Sequence, residues 1–173
     1  MTELQDIDFV ELSDEEMHLY SRQILLDGWD IEAQEKLKLA NVLIVGAGGI
    51  GCSSAELLAR AGVGKITLID ADTIEISNLQ RQIAFGHEDI GRYKAEILAK
   101  RLQKINPYIC VEYYNERLDE HNIDRLVEHQ DVVLDGCDNF TTRYLVNAAC
   151  KKHQVALISA SAIGFQAQMF MVE

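Results

Sequence analysis

The segment NVLIVGAGGIG, residues 41–51, constrains the fold more than any other part of the sequence. Its first six residues, NVLIVG, contain a continuous apolar run, which is typical of a strand buried on both faces of a parallel sheet. Gly46, Gly48 and Gly51 then follow the spacing G-x-G-x-x-G, and a helical pattern, CSSAELLARAG, comes next. Glycines between a strand and a helix let backbone N–H groups approach a phosphate at the helix N-terminus. We therefore expect a nucleotide at this turn, although a glycine turn that only packs helix on sheet remains the alternative.

Strands alternate with helices along most of the chain. The predicted strands are 41–46, 65–70, 109–114, 131–136, 155–160 and 164–173, and the helices between them are 52–62, 88–106, 119–130 and 139–153. A capping box of Ser13 and Glu16 predicts a first helix through Leu26, and Asp30 can cap a second over 31–39. This pattern predicts an α/β fold with a doubly wound, mostly parallel, Rossmann-like sheet and two N-terminal helices. Because strand 164–173 ends without a closing turn, we expect the natural domain to continue further.

The composition indicates a single globular domain. The chain has 173 residues, of which 48% are hydrophobic and 25% charged, and we expect a flexible acidic segment over 1–12 and one domain over 13–173. The net charge of −12 argues against binding to nucleic acid or anionic lipid. The acidic opening is not a secretory signal, and no apolar run reaches the roughly 18 residues of a membrane span. Four cysteines without a C-x-x-C pair indicate reduced thiols in a cytoplasmic protein.

Several polar residues fall at the predicted strand ends and loops where ligands bind in such sheets. Asp70 ends the strand after the glycine turn, where it can accept hydrogen bonds from ribose hydroxyls. The others are Asp72, Asn78, Arg81, Lys94 and Asp138. An NAD-dependent oxidoreductase would use Asp70, but little chain remains for its substrate region, whereas a triphosphate could use the whole set. The segment GVGKI lacks the glycine and hydroxyl of a P-loop, which excludes a Walker-type NTPase.

Each of these residues also has a structural interpretation. Lys94 could be a solvated helix lysine, and Arg22, on the predicted first helix, could be a surface arginine. Asp138 could cap the following helix, a role that is compatible with metal binding. Asp72 is the weaker candidate and could be a loop acid. The helix dipole could lower the pKa of Cys52, but we favour a small thiol that faces the core.

Five segments together resemble the MoeB/ThiF/HesA family, the bacterial relatives of ubiquitin-activating enzymes. They are YSRQILL, VLIVGAGGIG, ITLIDADTIEISNLQRQ, GRYKAE and DVVLDGCDNFTTRYLVN, of which DADTIEISNLQRQ is the most specific part. Within the family, the molybdopterin-synthase adenylyltransferases resemble the sequence most, and the thiamine-pathway enzymes are next. The resemblance implies that residues 13–173 form an ATP-binding adenylation domain that lacks its C-terminal part. It further implies ATP-dependent activation of the C-terminal glycine carboxylate of a small ubiquitin-fold sulfur-carrier protein ending in Gly-Gly.

The same resemblance implies roles for individual residues. Arg81 would pair with phosphate oxygens, Asn78 would fix polyphosphate or ribose geometry, and Lys94 would reach the phosphates from another side. Asp138 would hold Mg²⁺ together with the triphosphate. The arginine that matches Arg22 enters the neighbouring subunit's nucleotide site in the family, which implies a homodimer. The implied catalytic residues are Arg22, Arg81, Lys94 and Asp138, and the ATP site comprises Gly46, Gly48, Gly49, Gly51, Asp70, Asp72, Asn78, Arg81, Lys94, Asp138 and Asn139.

The sequence departs from the family in one respect. Most members continue with two C-x-x-C pairs that hold a structural zinc, and neither pair is present, so we expect no zinc. The thiols that form thioesters or persulfides in the superfamily also lie beyond this stretch, which argues against Cys137 as a nucleophile. Two other members of the superfamily remain as alternatives, a non-catalytic partner and an ATP-dependent tRNA-adenosine dehydratase. The acidic charge makes tRNA the poorer match.

Overall fold

The computed structural model describes residues 10–173, and their strands form a single sheet. The strands are β1 (Asn41–Val45), β2 (Lys65–Ile69), β3 (Cys110–Tyr114), β4 (Val132–Asp135), β5 (Ala156–Ile163) and β6 (Gln166–Val172). Their order across the sheet is β3-β2-β1-β4-β5-β6. β1 to β5 run parallel, and β6 is antiparallel to β5. The prediction of a mostly parallel sheet is confirmed, while most of the segment predicted to be flexible, residues 1–12, lies outside the described residues.

Helices cover the sheet on two faces. They are α1 (Asp14–Leu19), α2 (Ile31–Leu39), α3 (Gly49–Ala61), α4 (Lys94–Ile105), α5 (Ile123–Val127) and α6 (Phe140–His153). One core joins α3 and α4 to Ile44 and Leu68, and a second core joins α5 and α6 to Leu43 and Leu157. Successive residues of a strand point to opposite faces, so the neighbours Leu43 and Ile44 enter different cores. This is the doubly wound arrangement that the sequence predicts.

The first helix is shorter than the sequence predicts. Its capping box is confirmed, but α1 ends well before Leu26, and residues 20–26 form turns. The hydroxyl of buried Tyr20 accepts a hydrogen bond from Asn106 Nδ2 at 2.7 Å, and Gln23 Nε2 donates to the carbonyl of Ala61 at 2.8 Å. The prediction of one helix through Leu26 is wrong, because these contacts with distant parts of the chain hold the segment in turns.

The helix predicted over 88–106 begins later, at Lys94. Gly91, in the turn before it, has a φ of 84°, a left-handed conformation that interrupts a helix. Thr73 and Tyr93 then form a short antiparallel bridge, so the chain reaches Lys94 in an extended conformation. The late start positions Lys94 at the first turn of α4, next to the loop that follows β2.

The helix predicted over 119–130 is also shorter, since α5 spans only Ile123–Val127. The side chain of Asn122 accepts a hydrogen bond from the N–H of Asp119 at 2.9 Å, and Asp119 Oδ1 accepts one from the N–H of His121 at 2.8 Å. Such bonds from short polar side chains favour a turn over a helix. Among residues 10–173, we find no helix with the length and apolar character needed to cross a membrane.

Candidate nucleotide site

A tight glycine turn joins β1 to α3. Gly46 has a φ of 91°, and a Cβ on Gly51 would lie 1.8 Å from the carbonyl oxygen of Gly46, so no larger residue fits there without a backbone shift. Gly48 is the N-cap of α3 and provides no side-chain cap. The N–H of Cys52 bonds to the carbonyl of Gly48 at 2.9 Å, and the first-turn N–H groups before it have no side-chain partner at the cap. This arrangement suits an anion.

Asp70 follows β2 directly and is bonded to the glycine turn. Its Oδ2 accepts a hydrogen bond from the N–H of Ala47, and its Oδ1 accepts one from the N–H of Asp72, both at 2.7 Å. Burial raises the pKa of the Asp70 carboxyl, and these two hydrogen bonds act in the opposite direction. A carboxylate oxygen has two acceptor positions, so each oxygen of Asp70 can still receive one hydroxyl group.

Arg81 packs against the same turn. Its Cγ lies 3.7 Å, and its carbonyl oxygen 3.4 Å, from where a Cβ on Gly49 would be. The exposed guanidinium donates one hydrogen bond from Nη1 to the carbonyl of Ser77 at 3.0 Å. Asn78 is buried, and its Oδ1 accepts a hydrogen bond from the N–H of Glu75 at 3.2 Å. Asn78 therefore shapes the short turn from which Arg81 extends.

Lys94 and Asp72 are paired. Lys94 Nζ lies 2.9 Å from Asp72 Oδ2, and the N–H of Lys94 also bonds to the carbonyl of Asp72 at 3.0 Å. The lysine side chain is 8% exposed and that of Asp72 is 69% exposed. Asp72 therefore contacts Lys94 directly, and the pair connects the loop after β2 with the first turn of α4.

Asp138 and Asn139 lie in the loop between β4 and α6. β4 ends at Asp135, one residue before the predicted strand end at 136, so Asp138 lies in the loop that follows the strand. Asn139, not Asp138, caps α6, and its Oδ1 accepts a hydrogen bond from the N–H of Thr142 at 2.9 Å. Asp138 is exposed, and its carboxylate makes no hydrogen bond or ion pair with any other residue in the range 10–173. Its carboxylate is therefore available to a ligand.

The β4 loop and the glycine turn approach each other. A Cβ on Gly46 would lie 3.3 Å from the carbonyl carbon and oxygen of Gly136. Contacts thus connect the ends of β1, β2 and β4 with Arg81 and Lys94. Arg22 stands apart, because it is exposed in the turns after α1 and forms no hydrogen bond or ion pair within the described chain.

The cysteines near the turn are not activated. Cys52 is fully buried, and burial raises the pKa of its thiol to about 12. This confirms the small core thiol that we favoured and shows that a dipole-lowered pKa is wrong. Burial and the neighbouring Asp135 raise the pKa of the Cys137 thiol to about 11, so it is a poor nucleophile at neutral pH.

Three polar residues at this edge of the sheet escaped the sequence analysis. Gln82 is buried, and its Nε2 lies 3.9 Å from where a Cβ on Gly48 would be. Asp135 and Arg143 form an ion pair between β4 and α6, with 3.0 Å between Oδ2 and Nε. The position of Gln82 at the end of NLQRQ was a signal for that residue. For the ion pair, the signal was that Arg143 lies one helical turn after Asn139.

Comparison with known proteins identifies the family. The profile of the ThiF family matches residues 20–173. The molybdopterin-synthase adenylyltransferase of Salmonella typhimurium is 46% identical over 159 residues, which cover 92% of this chain and 64% of that protein. The sulfur carrier protein ThiS adenylyltransferase of Escherichia coli is 44% identical over 93% of this chain and 64% of that protein.

A solved structure is similar over the same region. The crystal structure of E. coli tRNA N6-threonylcarbamoyladenosine dehydratase, TcdA, in complex with AMP gives a TM-score of 0.84 at 29% identity, over 91% of this chain and 63% of that chain. The chain spans somewhat less than two thirds of the length of these relatives. Because the family profile matches residues 20–173, which is most of the chain, this chain belongs to the ThiF family.

Proposed function

We propose that this protein is an ATP-dependent adenylyltransferase that activates the C-terminal glycine carboxylate of a small ubiquitin-fold sulfur-carrier protein. The observation that carries the proposal is the bond of 2.7 Å between Asp70 Oδ2 and the N–H of Ala47. It joins an acceptor for ribose hydroxyls to a helix N-terminus suited to phosphate. The names of the two adenylyltransferase relatives support adenylation, in molybdenum-cofactor or thiamine biosynthesis.

The reaction needs little acid–base chemistry. The glycine carboxylate is ionised at neutral pH, so one of its oxygens can attack the α-phosphorus of ATP directly. The bond from that phosphorus to the bridging oxygen breaks, and pyrophosphate leaves with the electron pair. The products are an acyl-adenylate and pyrophosphate. The protein must align two anions and stabilise the charge on the leaving group.

The positive groups near the glycine turn suit this task. After its bond to Ser77, the guanidinium of Arg81 keeps four N–H donors, because arginine has five. We expect Arg81 to pair with phosphate oxygens and Lys94 to exchange Asp72 for a phosphate when ATP binds. Asn78 would hold the turn that carries Arg81 and would face the polyphosphate or ribose.

The donor set fits a magnesium ion that arrives with the triphosphate. Among the described residues, no group of three or more His, Cys, Asp or Glu side chains could hold a metal alone. Mg²⁺ commonly uses one or two carboxylates together with substrate phosphates, and the exposed Asp138 offers one carboxylate. When bound, the ion would neutralise charge on the phosphates. Asn139 would keep the loop in place as the cap of α6.

We propose a homodimer in which Arg22 of one chain completes the site of the other. Arg22 is exposed and lacks a partner in residues 10–173, and the nearby side chains of Leu25 and Leu26 are 77% and 62% exposed. Both features suit a surface that a second copy covers. Mixing Arg22→Ala chains with Arg81→Ala chains tests this arrangement. Recovery of activity in the mixture is expected, and no recovery would contradict the shared site.

The direct test is ATP–pyrophosphate exchange with candidate carrier proteins that end in Gly-Gly. Arg81→Ala and Asp138→Ala should each slow exchange by about 10²–10³-fold, because each removes a group that stabilises developing charge. Lys152→Ala is the matched control, since Lys152 is exposed in the last turn of α6 and forms an ion pair with Asp124 of α5. Exchange that continues unchanged in Arg81→Ala would remove that residue from the mechanism.

Two further measurements separate the remaining alternatives. A nicotinamide enzyme would change the fluorescence of NADH on binding, and we expect no change. The similarity to TcdA favours the tRNA dehydratase as a second candidate, but the net charge of −12 opposes tRNA binding. ATP hydrolysis stimulated by tRNA, without exchange on any carrier, would favour that candidate. A non-catalytic member would bind ATP and exchange with no carrier.

We also propose that this chain binds no structural zinc, since it contains no C-x-x-C pair. Plasma emission analysis of the purified protein measures this directly. One zinc per chain would contradict the proposal.

A further inference from the structure

Arg143 reaches from the first turn of α6 to the loop that carries Asp138. Its Nη2 donates hydrogen bonds to the carbonyl of Cys137 at 2.8 Å and to the carbonyl of Ala160 at 3.2 Å. Cys137 directly precedes Asp138, and Ala160 lies in β5. The arginine therefore ties the loop to the neighbouring strand.

A buried carboxylate holds Arg143 in place. Asp135 Oδ2 lies 3.0 Å from Arg143 Nε, and the Asp135 side chain is 0% exposed. The Nε proton is not aligned for a hydrogen bond, so this contact is an ion pair. Asp135 Oδ2 also accepts a hydrogen bond from Ser159 Oγ at 2.7 Å, and Oδ1 accepts one from the N–H of Cys137 at 3.0 Å. We call Asp135, Arg143 and Ser159 the loop clamp.

The loop clamp fixes the backbone at Cys137 from both sides. Asp135 binds its N–H and Arg143 binds its carbonyl, while the next side chain, that of Asp138, is exposed and without a partner in the described chain. The Asp135 side chain is fully buried, and that of Arg143 is 19% exposed. This is an inefficient way to stabilise a fold, because removing a carboxylate from water costs several kcal/mol. The pair joins β4 to α6 on either side of the loop that carries Asp138. This arrangement suggests a role in placing the Asp138 carboxylate.

We propose that Arg143, supported by Asp135 and Ser159, is a positioning residue that aims Asp138 at the metal–triphosphate. This inference rests on the proposed nucleotide site. Precise placement matters because a ligand held in the wrong position must reorganise when the metal arrives. Arginine suits the task because its planar fork can contact a carboxylate and two carbonyls together, whereas the single ammonium of lysine cannot reproduce that geometry.

The test compares ATP affinity in EDTA with ATP affinity in Mg²⁺, measured by calorimetry on the full chain. In Arg143→Met, the gain in affinity on adding Mg²⁺ should fall by about tenfold or more, the usual effect of losing a group that orients a metal ligand. Affinity in EDTA should stay within about twofold of wild type, because the hydrogen bonds and ion pair of the clamp side chains do not involve the glycine turn or Asp70. Arg143→Lys should recover part of the gain. A clamp that only stabilises the fold would lower the melting temperature without changing the ratio of the two affinities.

Two variants keep the outcome decisive. Lys152→Ala breaks an exposed ion pair between α6 and Asp124 of α5 and should leave both affinities unchanged. If Arg143→Met does not fold, Ser159→Ala replaces it in the test. This variant removes the hydrogen bond that Ser159 donates to Asp135, and it should also reduce the gain in ATP affinity on adding Mg²⁺. The positioning role is wrong if folded Arg143→Met gains as much ATP affinity on adding Mg²⁺ as wild type does. Where Ser159→Ala replaces an unfolded Arg143→Met, the same result in Ser159→Ala has the same meaning. Neither result would affect the proposed nucleotide site. Wild-type protein that does not bind ATP in either buffer would overturn the nucleotide site itself.

Discussion

The carboxyl ends of β2 and β4 both carry two acidic residues, but they engage them in opposite ways. At the end of β2, the proposed ligand Asp70 is itself bonded to two backbone N–H groups. At the end of β4, the fully bonded residue is the buried Asp135, whereas the proposed ligand Asp138 is exposed and makes no side-chain bond in the described chain. At the β2 end, hydrogen bonds therefore fix the proposed ligand side chain itself. At the β4 end, they fix the backbone beside Asp138, and its carboxylate stays available to a ligand.

This difference corresponds to the two parts of the proposed ligand. The nucleoside and its phosphates would meet a rigid surface at β1 and β2. The position of a metal ion would depend on how the phosphates are placed. The Asp138 carboxylate, on a fixed backbone, could follow the ion by rotation of its side chain alone. The comparison predicts that mutations at the two ends affect different quantities.

The largest effect is expected at the glycine turn, where the rigidity of the β1 and β2 side begins. Gly51→Ala places a Cβ 1.8 Å from the carbonyl oxygen of Gly46, so the backbone must shift. We expect a loss of about 3 kcal/mol or more in the free energy of unfolding, measured by chemical denaturation. Gly48→Ala is the matched control, since the nearest atom to its new Cβ is 3.9 Å away. Gly48→Ala should fold normally and weaken ATP binding, because its Cβ crowds the phosphate. Equal stability of Gly51→Ala and Gly48→Ala would contradict a glycine turn that cannot accept a Cβ at Gly51.

The next effect concerns the acid at the end of β2. Asp70→Asn removes a charged acceptor for ribose hydroxyls, and hydrogen bonds to charged groups contribute about 1.5–3 kcal/mol. We therefore expect ATP affinity to fall by roughly 10- to 100-fold in EDTA and in Mg²⁺ alike. Asp72→Asn should have a smaller effect, because Asp72 is exposed and its described side-chain contact is with Lys94. A larger loss in Asp72→Asn than in Asp70→Asn would reverse these assignments.

A smaller effect is expected at the cap that supports the β4 loop. Asn139→Ala removes the side chain that caps α6, and such losses cost about 1 kcal/mol of stability. The melting temperature should fall by roughly 2–4 °C. Asp30→Ala removes the equivalent cap from α2 and should destabilise the protein by a similar amount. Only Asn139→Ala should also reduce the Mg²⁺-dependent gain in ATP affinity, and the same gain in both variants would show that the cap does not support Asp138.

Two parts of the candidate site could be predicted because each depends on a short stretch of sequence. The glycine spacing and the acid after the next strand follow from local backbone requirements, and the structure has both at the expected strand ends. The loop clamp was not predictable in this way, since Asp135 meets Ser159 across 24 positions of the chain. The length of α1 was wrong for the same reason, because Tyr20 bonds to Asn106, which is 86 positions away. Local patterns give strand ends and caps, but contacts across the sheet decide where helices stop and which charges are buried.

The smallest effect sharpens the comparison through thiol chemistry. Cys52 lies buried under the glycine turn and Cys137 lies half-buried in the β4 loop, with pKa values raised to about 12 and about 11. At pH 8, both thiols are almost entirely protonated, so iodoacetamide should modify the exposed Cys110 before either. Peptide mass mapping should show slow modification of Cys137, further slowed by MgATP, and none of Cys52. Faster modification of Cys52 than of Cys137 would contradict a glycine turn that keeps the Cys52 thiol buried.

The central claim is that a nucleoside triphosphate binds at the carboxyl ends of β1, β2 and β4. Calorimetric titration of the full chain with MgATP, with NADH in parallel, tests it most directly. The account predicts saturable binding of MgATP in the micromolar range, weakened by Arg81→Ala, and no heat from NADH. Binding of NADH with no response to MgATP, or MgATP binding that Arg81→Ala leaves unchanged, would contradict it.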